Sequence, residues 1–121
     1  MINCILVGIG GFIGTACRYL IGLIPLKTES GFPVKTFLIN IFGAFLISLI
    51  TALAAKNKSI PPQLILMLKV GICGGFTTFS TFAFETAGLL QNGKIFTALL
   101  YAIGSSVFGV LAVFAAQMIA S

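Results

Sequence analysis

The chain has 121 residues, 59% of them hydrophobic and only 7% charged. A water-soluble domain carries about 25% charged residues, so a globular protein with a water-facing surface is excluded, and the length is that of one domain, residues 1–121. The formal charge is +5 without a histidine. The positives are spread one or two to a loop, as at membrane–water boundaries, and no Lys/Arg cluster with a motif marks a nucleic-acid partner.

Four apolar spans follow in chain order, which makes the expected fold class all-α and integral to a membrane. The first runs from about residue 2 to 24, and Pro25 ends it. Met1–Gly22 lacks the charged start of a signal peptide, so this span is expected to be kept. The second runs from about 33 to 55 and stops at Lys56–Lys58. The third runs from about 61 to 90, and the fourth from about 95 to 120. A bilayer core takes about 20 apolar residues per helix, which suits the first, second and fourth. A third helix of such length would reach roughly 45 Å if straight, longer than the hydrocarbon core. Gly71, Gly74 and Gly75 lie near its middle and Thr77–Thr78 follow. A break near 74–77 is the sharper expectation, with tilt as the alternative. Non-helical backbone at that depth needs protein or a water-filled cavity around it. Cys4, Cys17 and Cys73 lie in apolar segments without a CxxC pattern and read as small buried hydrophobes.

Four spans put both termini on one side. That side holds Lys56 and Lys58 with Lys69 nearby, and the other holds Lys27, Lys35 and Lys94 with Arg18 nearby. Lys/Arg bias normally sets orientation, and here it is nearly absent. Such a chain could insert either way round and pair as an antiparallel homodimer. One weakly specified orientation is the alternative.

The stretch Gly71–Glu85, GICGGFTTFSTFAFE, concentrates the chemistry. Phe76, Phe79 and Phe82 recur every third residue and make a stripe on a helix. Such a stripe can be packing surface. It can also turn positive ring edges toward a passing anion. Thr77, Thr81 and Glu85 fall on the opposite face, and Ser80 and Thr81 offer hydroxyl donors. Membrane hydroxyls often bond back to their own helix, whereas carbonyls freed by a break can hold a cation. Asn40 is the only Asn deep inside a span, with Thr36 one turn earlier. It could donate to an anion or bond a neighbouring helix. Arg18 could snorkel to the interface or gather anions at a vestibule. Tyr101 and Ser105 are a turn apart on the fourth span and, with Asn40 and the Phe stripe, could line a passage of weak donors. Gly10/Gly14 and Gly71/Gly75 are spaced for close helix approach. No combination of nucleophile, base and acid for an enzyme is present, and no second intramembrane acid serves a proton-coupled drug antiporter.

GGFTTFSTFAFE (Gly74–Glu85) resembles the signature of the Fluc (CrcB) fluoride channels, as GGFIGTACRY (Gly10–Tyr19) and KTFLINIFGAF (Lys35–Phe45) resemble that family's first and second helices. The resemblance runs end to end. It implies a passive fluoride-selective channel that exports fluoride across a bacterial inner membrane and lowers its toxicity. It also implies an antiparallel dual-topology homodimer with a pair of pores, and a third helix broken in mid-membrane. At the dimer axis the carbonyls of Gly74 and Thr77 would hold a structural Na+ that is not transported. The fluoride pathway would be lined by Phe79, Phe82, Asn40, Thr36, Ser80, Thr81, Tyr101 and Ser105, with Arg18 in the vestibule. Gly109 departs from the pattern, standing where the polar track can carry another hydroxyl. A fluoride/proton exchanger is the nearest alternative function. A small multidrug/proton antiporter and a structural membrane protein are more distant ones.

Overall fold

A computed structural model describes residues 1–121 as helices joined by short loops. In chain order they are α1 (Ile2–Gly22), α2 (Val34–Lys56), α3 (Pro62–Leu66), a π-helical stretch (Met67–Cys73), α4 (Gly74–Phe76), α5 (Phe79–Gln91) and α6 (Ile95–Ala120). Four stretches are long and apolar enough to cross a membrane: Ile2–Gly22, Val34–Lys56, Pro62–Gln91 and Ile95–Ala120. The all-α, four-span architecture is therefore present. α1 stops at Gly22 and not at Ile24, because the residue before a proline is forced out of the helical region, and Ile24 precedes Pro25.

The exterior is apolar and the interior is thin. Only 13 of 121 residues are buried, while Phe12, Phe84 and Phe96 are 75%, 82% and 78% exposed. Water would not tolerate that surface, and hydrocarbon does. Cys73 is buried as expected, but Cys4 and Cys17 lie on the exposed outer side of α1, among the side chains that face the surroundings of the single chain.

Two seams hold the bundle. Along the first, α1 packs against the π-helical stretch and α4 through glycines. A Cβ on Gly10 would come within 2.6 Å of the Met67 carbonyl oxygen, one on Gly71 within 2.9 Å of that of Val7, and one on Gly75 within 2.6 Å of that of Gly11. At Gly14 it would overlap the Ile72 carbonyl oxygen. Backbone cannot yield as a side chain can, so these positions need a bare Cα and the helices gain close contact in exchange. Along the second seam α2 packs on α6, where Ser48 Oγ donates to the Val113 carbonyl at 2.8 Å.

Helix ends are closed by side chains and turns. Lys35 Nζ donates to the carbonyls of Gly22 (2.9 Å) and Ile24 (3.2 Å) beyond α1, and Lys56 Nζ donates to that of Ala120 (2.6 Å) at the end of α6. Both ammonium groups meet the negative end of a helix dipole. α5 ends in a Schellman motif: Lys94 N–H bonds Leu89 C=O, Gly93 N–H bonds Leu90 C=O, and Gly93 takes φ +77°.

Candidate functional site

The site is built around two residues of extended backbone between α4 and α5. Thr77 has φ −85°, ψ 159° and Thr78 has φ −151°, ψ 119°. Local chemistry favours this link. Gly74 and Gly75 are poor helix formers, and β-branched threonines offer the backbone other partners. Thr77 Oγ1 donates to the Cys73 carbonyl at 2.9 Å. Thr78 is the N-cap of α5, its Oγ1 accepting the Thr81 amide at 3.2 Å. The same Oγ1 donates to Thr81 Oγ1 at 3.2 Å and lies 3.4 Å from Ser80 Oγ.

α2 meets this link with one face, Thr36, Asn40 and Gly43. A Cβ on Gly43 would overlap the Thr77 methyl group, so the helix approaches as closely as glycine permits. Asn40 then engages both backbone groups of Thr78: its Oδ1 accepts the Thr78 amide at 2.8 Å, and its Nδ2 donates to the Thr78 carbonyl at 3.1 Å. One Nδ2 proton remains free of that pairing.

These bonds change the fate of particular carbonyls. In a continuous α-helix the Thr78 amide would donate to Gly74 and the Thr81 amide to Thr77. Here the first is taken by Asn40 Oδ1 and the second by Thr78 Oγ1. The Gly75 carbonyl is instead occupied, accepting from Arg18 Nε at 3.2 Å and Thr15 Oγ1 at 3.4 Å. Gly74 and Thr77 thus lose the helical donors that would cap them. Backbone oxygens without donors are the hard ligands that sodium accepts, so the donor set at Gly74 and Thr77 fits such an ion.

Farther along α5, Glu85 joins three helices. Thr36 Oγ1 donates to its Oε2 at 3.1 Å, and Tyr101 OH donates to its Oε1 at 2.8 Å. Thr36 and Tyr101 are 8% and 0% exposed, which makes this a core polar cluster. The Tyr101 ring stands 5.0 Å from Phe82 and 5.4 Å from Phe32, centroid to centroid. Phe79 and Phe82 pair at 5.9 Å with an interplanar angle of 48°. Phe76 does not join them. It pairs with Phe42, because the extended link takes α4 and α5 out of a common helical register.

Two cavities flank the link. The larger, about 400 Å³, is lined by Asn40, Gly74, Thr77, Phe79, Phe82 and Ser105 among others. Ser105 Oγ is buried there without a hydrogen-bond partner. The other, about 340 Å³, brings together Arg18, Lys35, Thr36, Thr81 and Glu85. Thr78 borders both. Of the residues expected from sequence to line the pathway, Ser80 and Tyr101 line neither: Ser80 is exposed beside Thr78, and Tyr101 is fully buried behind Phe82. The sequence alone assigns no role to Glu85 or to the backbone of Thr78. The placement of Glu85 a turn beyond Thr81 was the available signal, but its partners sit on other helices.

Comparison with known proteins fits this arrangement to a family. Residues 5–117 match the family model described as "CrcB-like protein, Camphor Resistance (CrcB)". The chain belongs to the CrcB family. CrcB relatives named "Fluoride-specific ion channel FluC" include one from Chlorobaculum tepidum, 43% identical over 99% of this chain and 95% of the relative. Another, from Prosthecochloris aestuarii, is 46% identical over 88% of this chain and 84% of the relative. A third, from Ruminiclostridium cellulolyticum, is 45% identical over 99% and 93% respectively. With its four spans, this CrcB chain is a multi-pass bacterial membrane protein.

Proposed function

We propose that the chain forms a passive, fluoride-selective channel and not an enzyme. The observation that carries this is the near end-to-end match to relatives named fluoride-specific ion channels. The geometry supports it. Fluoride is small and strongly hydrated, so its water must be replaced by donors in a narrow space. The larger cavity offers the unpartnered Ser105 hydroxyl, the spare Nδ2 proton of Asn40 and the rings of Phe79 and Phe82. Phenyl edges are weakly positive and touch an anion without trapping it. Chloride gains less from the same donors and fits the space less well. On the other side of Thr78, Arg18 and Lys35 gather anions electrostatically, Thr81 presents a hydroxyl, and Thr36 borders the same space with its own proton donated to Glu85. Tyr101, held by Glu85, sets the position of Phe82.

The working unit in this reading is an antiparallel dual-topology homodimer. Phe79 is 79% exposed in the single chain, and the larger cavity is open on that side. A second copy would close it, and the even division of lysines between the two faces permits opposite insertion. The extended Thr77–Thr78 link would then be the mid-membrane break of the third span, with the links of both copies meeting at the axis. Gly74 and Thr77 carbonyls would hold a structural sodium ion there. Bound, that ion supplies positive charge that offsets the anion in a low-dielectric setting.

The test uses purified protein in liposomes loaded with potassium fluoride, a potassium ionophore and a fluoride electrode, with chloride-loaded vesicles in parallel. Fast fluoride release without chloride release, unchanged by a pH gradient, is expected. No release from folded protein sinks the proposal, and release that follows the pH gradient replaces the channel with an exchanger.

A further inference from the structure

We infer that Asn40 is a positioning residue for the cation site: by pairing with the Thr78 backbone it keeps the Gly74 carbonyl without a donor and open to a metal ion. The inference rests on the sodium site of the proposed function and assigns the part of the chain that builds it. The Thr78 amide has two possible acceptors. One is the Gly74 carbonyl, which would continue the helix through Thr77. The other is Asn40 Oδ1, at 2.8 Å. Asn40 Nδ2 donates to the Thr78 carbonyl at 3.1 Å, so the peptide is gripped from both ends. The grip depends on close approach, and Gly43, on the same face of α2, supplies it by leaving room for the Thr77 methyl group. The extended link therefore does not stand on α4 and α5 alone. It is held by a side chain from another helix, and the freed oxygen at Gly74 is the product. Arg18 and Thr15 occupy the Gly75 carbonyl, so it is withdrawn from the set, while Gly74 and Thr77 are among the oxygens of the link that lack their helical donors.

A residue that served only as an anion donor would affect fluoride and leave the cation untouched. The two roles separate in a sodium titration read by hydrogen-exchange mass spectrometry over residues 74–82, with N-methylglucamine holding the ionic strength. The full-length protein in lipid is used, and fluoride efflux is measured on the same samples. Asn40→Ala should raise the half-maximal sodium concentration for protection about tenfold, the equivalent of about one hydrogen bond. Asn40→Asp keeps an acceptor for the Thr78 amide and brings a charge that attracts sodium, so its midpoint should not rise above that of the wild type, while the same charge suppresses fluoride efflux. Phe79→Ile, at a side chain that makes no hydrogen bond to Thr78 or to the Gly74 and Thr77 carbonyls, should lower efflux about tenfold with an unchanged midpoint. If Asn40→Ala does not fold, Asn40→Leu, of similar volume and without hydrogen-bonding groups, replaces it with the same expectation. An unchanged midpoint in the apolar variants overturns the inference even if efflux is lost. A wild type without any sodium dependence overturns the cation site itself, and this inference with it, while leaving the fluoride channel to its own test.

Discussion

The two halves of the third span solve opposite problems. From Pro62 to Phe76 the chain is shaped by what it lacks: Gly71 and Gly75 lie against Val7 and Gly11, and any Cβ would strike backbone. From Phe79 to Gln91 it is shaped by what it carries: Phe79, Phe82 and Glu85 reach other side chains through rings and hydrogen bonds. One half fixes position and the other presents chemistry, with Thr77–Thr78 as the joint. A substitution in the first half should therefore cost the whole fold, and one in the second should cost function while the fold survives.

The strongest way to break that contrast is Gly14→Val, on the face of α1 against which the first half packs. The added side chain meets the Ile72 carbonyl and the Phe76 amide, neither of which can rotate aside. A loss of about 3 kcal/mol is expected, the upper end for overpacking, seen as a collapse in monodisperse yield and thermal midpoint in detergent. Stable Gly14→Val protein would mean that the first seam is looser than its geometry. In the second half, Phe79→Ile with Phe82→Ile should leave yield and helical circular dichroism intact. If each ring edge contributes up to about 1.5 kcal/mol to the anion, efflux should fall about tenfold for one change and about 100-fold for both. Tyr101→Phe sharpens the comparison further, because it removes one donor from Glu85 and keeps the ring beside Phe82. Its cost should be about 1.5 kcal/mol in unfolding free energy, measured by steric trapping, with efflux lowered less than in the Phe variants. The smallest effect belongs to Gly8→Ala. Nothing lies within 4 Å of a Cβ there, so stability should change by less than about 0.5 kcal/mol and efflux should be unaltered, the result expected if position on the seam, and not glycine as such, governs how α1 packs on the first half.

The spans themselves were legible because hydrocarbon imposes a simple rule of length and apolarity, and the sequence meets it four times. The glycine seam was legible from Gly10/Gly14 and Gly71/Gly75 spacing, since close approach leaves few other options. Asn40, Phe82 and Ser105 could be singled out as polar or aromatic features in apolar runs, and they do line one cavity. What could not be read was partnership. Asn40 was open between an anion and a neighbouring helix, and its spacing gave no hint that the neighbour is the backbone of a residue 38 positions away. Glu85 looked idle because its donors, Thr36 and Tyr101, come from two other helices. The stripe Phe76–Phe79–Phe82 assumed constant helical phase, and the extended link cancels that phase between its first and second members.

The π-helical stretch Met67–Cys73 carries a consequence for how this chain tolerates change in length. A π-helical turn holds more residues than an α-helical one over nearly the same rise, so it stores surplus chain. Deleting a single residue there, such as Val70 on the exposed side, could be absorbed by winding back to an α-helix, with the flanking halves staying near their places. The same deletion inside α5, which has no such slack, would turn every later side chain of that helix by about 100° and carry Glu85 away from Thr36 and Tyr101.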